Sequence, residues 1–176
     1  DILVISLDGP KEVHDRQRMK GSHAGVLEGI RAAKGAGINV WTNTVITREN
    51  LDYLPEMVEG AKGLGVKMIF QPVLRYSHSS DASRIKGLAS DDSEYMETIE
   101  KLKALKRKGA PIVHSLDYLD HIKVPVWKVN KRKCWAGKLY CAVTPTGDVS
   151  PCYPVFNSRR WPNGLAMGFG KAFHEI

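Results

Sequence analysis

Three thiols carry the clearest chemistry in this chain. Cys134, Cys141 and Cys152 are its only cysteines, spaced Cys-x6-Cys-x10-Cys, and the 133 residues before them contain none. An odd, clustered set without a secretory signal argues against a disulfide framework and for a reduced compartment with a metal or cluster site. Thiolates are soft ligands suited to zinc or iron–sulfur. Zinc ribbons normally supply paired Cys-x2-Cys knuckles, and none occurs here. Three thiolates without knuckles favour an iron–sulfur cluster over zinc; unliganded, half-buried thiols are the bland alternative. A second group of candidates sits where the first strand ends: Ser6 and Asp8, with Arg18 further along. A hydroxyl and a carboxylate suit ribose hydroxyls or an amine, and a guanidinium suits a carboxylate. Asp8-Gly9-Pro10 also reads as a plain turn, and Arg18 as a tie for the loop.

These residues need elements to position them. Ile2 to Leu7 is an almost continuous apolar run, the pattern of a strand buried on both faces. A polar loop is expected over Asp8 to Gly21, with His14 and Asp15 bracing it. Ser22 then caps a helix with Val26, Leu27, Ile30 and Ala33 on one face, ended by Gly35 or Gly37. Ile38 to Ile46 is a second strand. Asn50 caps a helix carrying Leu51, Leu54, Val58, Ala61 and Leu64, stopped by Gly65, with Pro55 implying an irregular start. Val66 to Val73 makes a third strand, and a long polar loop runs from Arg75 to Ser90. Asp91 and Glu94 form a capping box for a helix bearing Met96, Ile99, Leu102 and Leu105. Ile112-Val113-His114 gives a short fourth strand, and Ser115 starts a helix through Tyr118, Leu119 and Ile122. Alternating strands and helices imply βαβ units and a parallel sheet, too short for a full barrel.

After Pro125 the pattern changes. Leu139 to Val143 and Val149 to Cys152 flank Pro145-Thr146-Gly147-Asp148, a turn signal, so a β-hairpin with a cysteine at each base is expected. The boundary falls between residues 1–124 and 125–176.

The chain has 176 residues, 43% hydrophobic and 26% charged, with a net charge of +7. No apolar run approaches the roughly 20 residues that span a bilayer, and no signal peptide opens it, so a cytoplasmic protein is expected. Its lysines cluster at Lys101 to Lys108 and Lys128 to Lys133. The first cluster lies at a helix C-terminus, where cations offset the dipole. Both ends read as cut, the first residue not being Met and the last residues lying in a helix.

The hairpin, written Cys134-x12-Gly147-x4-Cys152, resembles the opening of the auxiliary-cluster extension of radical S-adenosylmethionine (SAM) enzymes, the SPASM or shorter twitch domain. The text Val143-Thr144-Pro145-Thr146-Gly147-Asp148-Val149-Ser150-Pro151-Cys152 fits it. Independently, the run from Val4 through Ser6-Leu7-Asp8-Gly9-Pro10 to Arg18 resembles the fourth barrel strand and following loop of that superfamily. Thr44-Val45-Ile46-Thr47 with Asn50, and Pro111-Ile112-Val113 with Tyr118-Leu119, extend the likeness over nearly the whole chain.

The resemblance implies an α/β fold, the C-terminal half of a partial (β/α)6 barrel followed by a small cluster domain. It implies S-adenosyl-L-methionine and an auxiliary [4Fe-4S] cluster on Cys134, Cys141 and Cys152 as cofactors. It places Ser6 at the ribose or methionyl part of the cofactor, and Thr44 with Val73 and Leu74 near the adenine, where plain core roles are equally open. Arg18 would pair with the methionine carboxylate, and Arg75 and Tyr76 would face the barrel mouth. His78 and His114 read as structural, and Asp148 as a turn former rather than a proton acceptor.

The family's radical-generating [4Fe-4S] cluster sits on a Cys-x3-Cys-x2-Cys loop, which this sequence does not contain. The chain alone is therefore expected to be an inactive piece of an oxidoreductase or maturase. The intact enzyme would take a peptide, protein or small-metabolite substrate and an external electron donor, with no membrane or nucleic-acid partner. The competing reading, a zinc- or cluster-stabilised nucleic-acid-binding module, rests on the net charge and on Lys131-Arg132-Lys133-Cys134-Trp135. A degenerate, non-catalytic homologue is the third.

Overall fold

The structure is a computed structural model that describes residues 2–73, 92–123 and 134–176. These fall into two compact units, one made by the first two stretches and the other by the third.

In the first unit, three strands form a parallel sheet: β1 (Ile2–Ser6), β2 (Asn39–Ile46) and β3 (Lys67–Pro72), in that spatial order. Ser6 is in register with Asn43, and Thr44 with Phe70. Each crossover is helical, as parallel pairing requires. Helices α1 (Lys11–Gln17) and α2 (Ser22–Gly35) join β1 to β2; a 3-10 turn over Leu51–Tyr53 and α3 (Leu54–Leu64) join β2 to β3. Helices α4 (Asp92–Arg107) and α5 (Leu116–Lys123) follow.

Strand alternation sorts the side chains. In β2, Val40, Thr42, Thr44 and Ile46 are buried, while Trp41, Asn43 and Val45 are only partly so. In β3, Met68, Phe70 and Pro72 are buried and the alternate positions are not. The buried set packs with Ile30, Leu54, Val58, Ile99, Leu102, Leu119 and Ile122 from the helices into one core. The other sheet face therefore carries a mixed row in which Ser6, Trp41, Asn43, Ile69 and Gln71 stand side by side.

Several expectations need correction. β1 is not buried on both faces: Ile2, Leu3 and Val4 are 49%, 40% and 50% exposed. Among the described residues it pairs with β2 alone. The polar stretch after Asp8 is no plain loop, because Lys11–Gln17 winds into α1. Pro10, with φ near −59°, is pre-set for a helix start.

Ser22 does not cap α2. The cap position is Gly21, in the left-handed region, and the Asp15 carboxylate accepts from the Gly21 and His23 N–H groups at 2.8 Å each. Asn50 makes no cap bond either. The fourth strand shrinks to one bridge between Met68 and Ile112. Pro111 removes a donor there, and the remaining ladder is the Met68 N–H to Pro111 carbonyl bond at 2.8 Å and the Val113 N–H to Met68 carbonyl bond at 2.9 Å.

Other expectations hold. Gly65, with φ +62°, ends α3. The 3-10 turn lets Pro55 fall in the first turn of α3, and Ser115 accepts from the Tyr118 N–H at the start of α5. The Arg75 to Ser90 loop and Asp91 lie outside the described residues, as do Lys128 to Lys133 and the boundary near Pro125. Three cations of the Lys101 to Lys108 cluster are spent locally. Lys101 pairs with Glu97, Lys103 with Glu100 and Asp120, and Lys106 donates to the Ile112 carbonyl.

The second unit is a short antiparallel hairpin, β4 (Ala142–Val143) with β5 (Val149–Ser150), shorter than expected. A 3-10 stretch over Tyr153–Ser158 and two small helices, α6 (Gly164–Met167) and α7 (Phe169–His174), complete it. The hairpin turn is heavily bonded. The Asp148 N–H donates to the Thr144 hydroxyl at 3.0 Å, and the Gly147 N–H to the Thr144 carbonyl at 2.9 Å. Asn163 clamps it to α6, donating to Asp148 and the Thr146 carbonyl while accepting from the Leu165 and Ala166 N–H groups.

Candidate functional site

The C-terminal end of β1 and the start of α1 are welded together by Asp8. This residue is 1% exposed. One carboxylate oxygen takes the Arg18 Nε–H and the other the Val45 N–H at 2.9 Å. Its own N–H donates to His14 Nδ1 at 3.1 Å, and its carbonyl accepts from Asn50 Nδ2 at 2.8 Å. Asn50, fully buried, also donates to the Val45 carbonyl and accepts from the Thr47 N–H. Asp8 is thus occupied as a latch among β1, β2 and α1. The one residue it presents outward is Arg18, whose side chain is 39% exposed and whose terminal nitrogens bond no described residue.

His14 is 1% exposed. Burial holds its imidazole below the ordinary histidine range, partly offset by the Asp8 charge. A neutral ring leaves Nδ1 free to accept from Asp8. Thr44 is also taken, its buried hydroxyl donating to the Leu7 carbonyl at 2.6 Å. Val73 is half-buried just past β3. Leu74, Arg75, Tyr76 and His78 lie outside the described residues. His114 stacks on Tyr118 with ring centroids 3.8 Å apart, and burial lowers its basicity.

Ser6 stands apart from these internal residues. It is half-buried, in register with Asn43, which donates to Gln71 Oε1 at 3.3 Å. Two polar atoms in this row are buried without a partner: Asn43 Oδ1, an acceptor, and Trp41 Nε1, a donor. Leaving such atoms unpaired is costly. The polar side chains of Ser6, Asn43 and Gln71, with Arg18, suit a ribose and an amino-acid moiety. Asn43 and Trp41 escaped the sequence reading. The available signal was their two-residue offset, which puts Asn43 on the same face as Trp41, together with an amide inside a β-branched strand where Asn is disfavoured.

The three thiols belong to the second unit and form no disulfide; Cys134 is exposed and the others half-buried. The hairpin register pairs Ala142 with Ser150, so Cys141 directly precedes one paired residue and Cys152 lies two residues after the other. A Cβ on Gly137, in the turn after Cys134, would lie 3.3 Å from Pro151 Cβ. Yet no three His, Cys, Asp or Glu side chains among the described residues are gathered closely enough to hold a metal ion. The donors have the right chemistry for a thiophilic centre without being assembled into one. Asp148 is held below the usual carboxylate range by hydrogen bonds from Asn163, Thr146 and Thr144, which makes it a turn former and a poor proton acceptor.

An α/β fold resembling that of radical SAM enzymes is what this chain shares with known proteins. No family model matches it. It is 25% identical over 173 residues to the AdoMet-dependent heme synthase of Oleidesulfovibrio alaskensis, covering 84% of this chain and 42% of that protein. It is 29% identical over 138 residues to the PqqA peptide cyclase of Gluconobacter oxydans, covering 77% and 36%. Among solved structures, Streptococcus suis SuiB bound to S-adenosylmethionine superposes with a TM-score of 0.70 at 13% identity, covering 98% of this chain and 42% of that one. The chain thus spans about two-fifths of the length of these proteins. No helix among the described residues is long and apolar enough to cross a membrane.

Proposed function

We propose that this chain is the second half of a radical SAM barrel joined to an auxiliary-cluster module, within a maturase-type oxidoreductase acting on a peptide. The observation that carries this reading is the one-sided sheet: helices cover one face, and the other presents Ser6, Asn43 and Gln71. In (β/α) barrels ligands gather at the C-terminal ends of the strands, where Ser6, Val73 and Arg18 lie. Ser6 and Asn43 would hold the ribose and Arg18 the methionine carboxylate. Asp8 would hold the Arg18 guanidinium in place, while Thr44 supports the strand from behind. Val73 and Leu74 would cover the adenine by apolar contact.

In the second unit, Cys134, Cys141 and Cys152 would hold an auxiliary [4Fe-4S] cluster. Such a group supplies electron transfer or an open iron for substrate. The chain's own task is to keep the thiolates in place and exclude water. The radical-generating cluster would come from outside these residues, and so would the external electron donor. A peptide substrate is favoured by the likeness to a peptide cyclase.

Anaerobic reconstitution of the chain with iron and sulfide tests the module. About four iron per chain are expected, with broad visible absorption bleached by dithionite. Replacing Cys141 with Ser should abolish that uptake. One tightly bound zinc, colourless and stable in air, with no cluster after reconstitution, would overturn the assignment and favour a zinc-stabilised nucleic-acid-binding module.

A further inference from the structure

Asn163-Gly164 is the one Asn-Gly pair in the chain, and the second unit needs both residues as they are. Gly164 is buried, and a Cβ there would lie 2.2 Å from Phe169 Cδ1, so a larger residue would push that ring aside. Asn163 uses both ends of its amide. Its Nδ2 donates to the Thr146 carbonyl at 2.9 Å and to Asp148 Oδ1 at 3.0 Å. Its Oδ1 accepts from the Leu165 N–H at 3.0 Å and the Ala166 N–H at 3.1 Å. A carboxylate of the same length could accept those two N–H groups but has nothing to donate. The main chain joins at the same place: Asp148 and Asn163 form an antiparallel bridge, and the Val149 N–H donates to the Pro162 carbonyl at 2.8 Å. The amide of Asn163 therefore closes the hairpin turn onto α6.

The pair that the fold requires is also the one most open to self-modification, because a glycine places no Cβ beside its own nitrogen. Once it loses its proton, the Gly164 nitrogen can attack Asn163 Cγ. The new C–N bond closes a five-membered succinimide, the bond to Nδ2 breaks, and ammonia leaves with the proton. Water then opens the ring at either carbonyl, giving aspartate or isoaspartate; no oxidant or reductant takes part. The folded unit opposes the attack twice. The Gly164 N–H is donated to the Gly147 carbonyl at 2.8 Å, and both ends of the Asn163 amide are held. After the change, the group that donated to Asp148 is a second carboxylate. Asp148 is kept ionised chiefly by the hydrogen bond from Asn163, so two like charges would then stand face to face. The Thr146 carbonyl would lose its donor as well.

We propose that Asn163 is a modification site, deamidated only when the second unit opens, and that the carboxylate left there, set against Asp148, keeps the hairpin turn from closing again on α6. The hairpin so released is the one whose strands continue into Cys141 and Cys152. The inference concerns the fold of the second unit, so it stands or falls independently of the function proposed above.

Two measurements on the whole chain test the two halves of the proposal. First, the chain is incubated at neutral pH, folded and in urea, and peptide mass mapping reads the replacement of amide nitrogen by oxygen at Asn163. Conversion should be at least about tenfold faster in urea, because the attack proceeds from the opened population alone. Second, hydrogen exchange is followed by NMR on chain carrying nitrogen-15 glycine. The Gly147 and Gly164 amides are bonded within the clamp, to Thr144 and Gly147, whereas the Gly65 amide is bonded within the first unit, to Lys62. Asn163→Asp should speed exchange at Gly147 and Gly164 roughly tenfold and leave Gly65 unchanged. The swapped pair, Asp148→Asn with Asn163→Asp, puts a donor back opposite a carboxylate and should recover most of the lost protection. The proposal fails if Asn163 converts as fast in the folded chain as in urea, or converts in neither. It fails equally if Asn163→Asp leaves the exchange of Gly147 and Gly164 unchanged, or if the swapped pair opens as readily as Asn163→Asp alone.

Discussion

Asp8 illustrates how a residue's type can be read while its role cannot. A buried carboxylate facing a guanidinium and an N–H is stable only while each partner is present. Removing it would leave the Val45 N–H unpaired and Arg18 unanchored. Asp8→Ala should therefore lower the unfolding free energy by about 2–4 kcal/mol, read from urea denaturation. His14 gives the matching pH prediction. Its folded basicity is lowered chiefly by burial, so the unfolded chain takes up its proton first. Stability from this group is complete above the ordinary histidine value, about 6.5. It is lost as pH falls through that value and on through the lower folded one. Unfolding followed from pH 8 to 5 should show stability dropping below about pH 6.5, and His14→Gln should flatten the drop, since an amide oxygen can accept from Asp8 without titrating. His114, lowered by burial in the same direction, should leave a residual slope in that variant.

Among the elements, the hairpin was the most legible and the capping residues the least. Pro145-Thr146-Gly147-Asp148 announces a turn because glycine alone tolerates the required backbone, and Gly147 indeed has φ +88°. A Cβ there would also come within 2.6 Å of Leu165 Cγ. Gly147→Ala is expected to cost about 2–3 kcal/mol, combining left-handed strain with the displaced leucine. Chemical denaturation followed by near-ultraviolet circular dichroism would read this in the second unit. Ser22 and Asn50 were read as helix caps because their side chains favour that place. The fold gives those tasks elsewhere: Asp15 reaches across from α1 to cap α2, and Asn50 is drawn inward to tie Asp8 to β2. Local propensity yields when a longer-range partner satisfies more buried groups. The helix α1, written inside an apparently polar loop, escaped notice because seven residues carry too little periodicity to announce themselves.

For the molecule as a whole, the two units carry different parts of the proposed chemistry. A cluster bound by Cys134, Cys141 and Cys152 in the folded second unit would stabilise it by mass action. Reconstitution should raise the melting temperature of wild-type chain and leave that of a triple Cys→Ser variant unchanged, measured by circular dichroism under argon. From the sequence alone came the alternation of strands and helices, the parallel α/β class, the cysteine-bearing hairpin and the likeness to radical SAM enzymes, since these rest on periodicity, turn chemistry and spacing along one chain. Only the tertiary structure decided that Asp8 and Thr44 hydrogen-bond internally, that β1 pairs among the described residues with β2 alone, and that Trp41 and Asn43 stand on the face of Ser6 with unpaired buried atoms. Which polar groups are already satisfied depends on partners up to about 40 residues away, as with Asn50 and Asp8, and that pairing is settled only when the strands come into register.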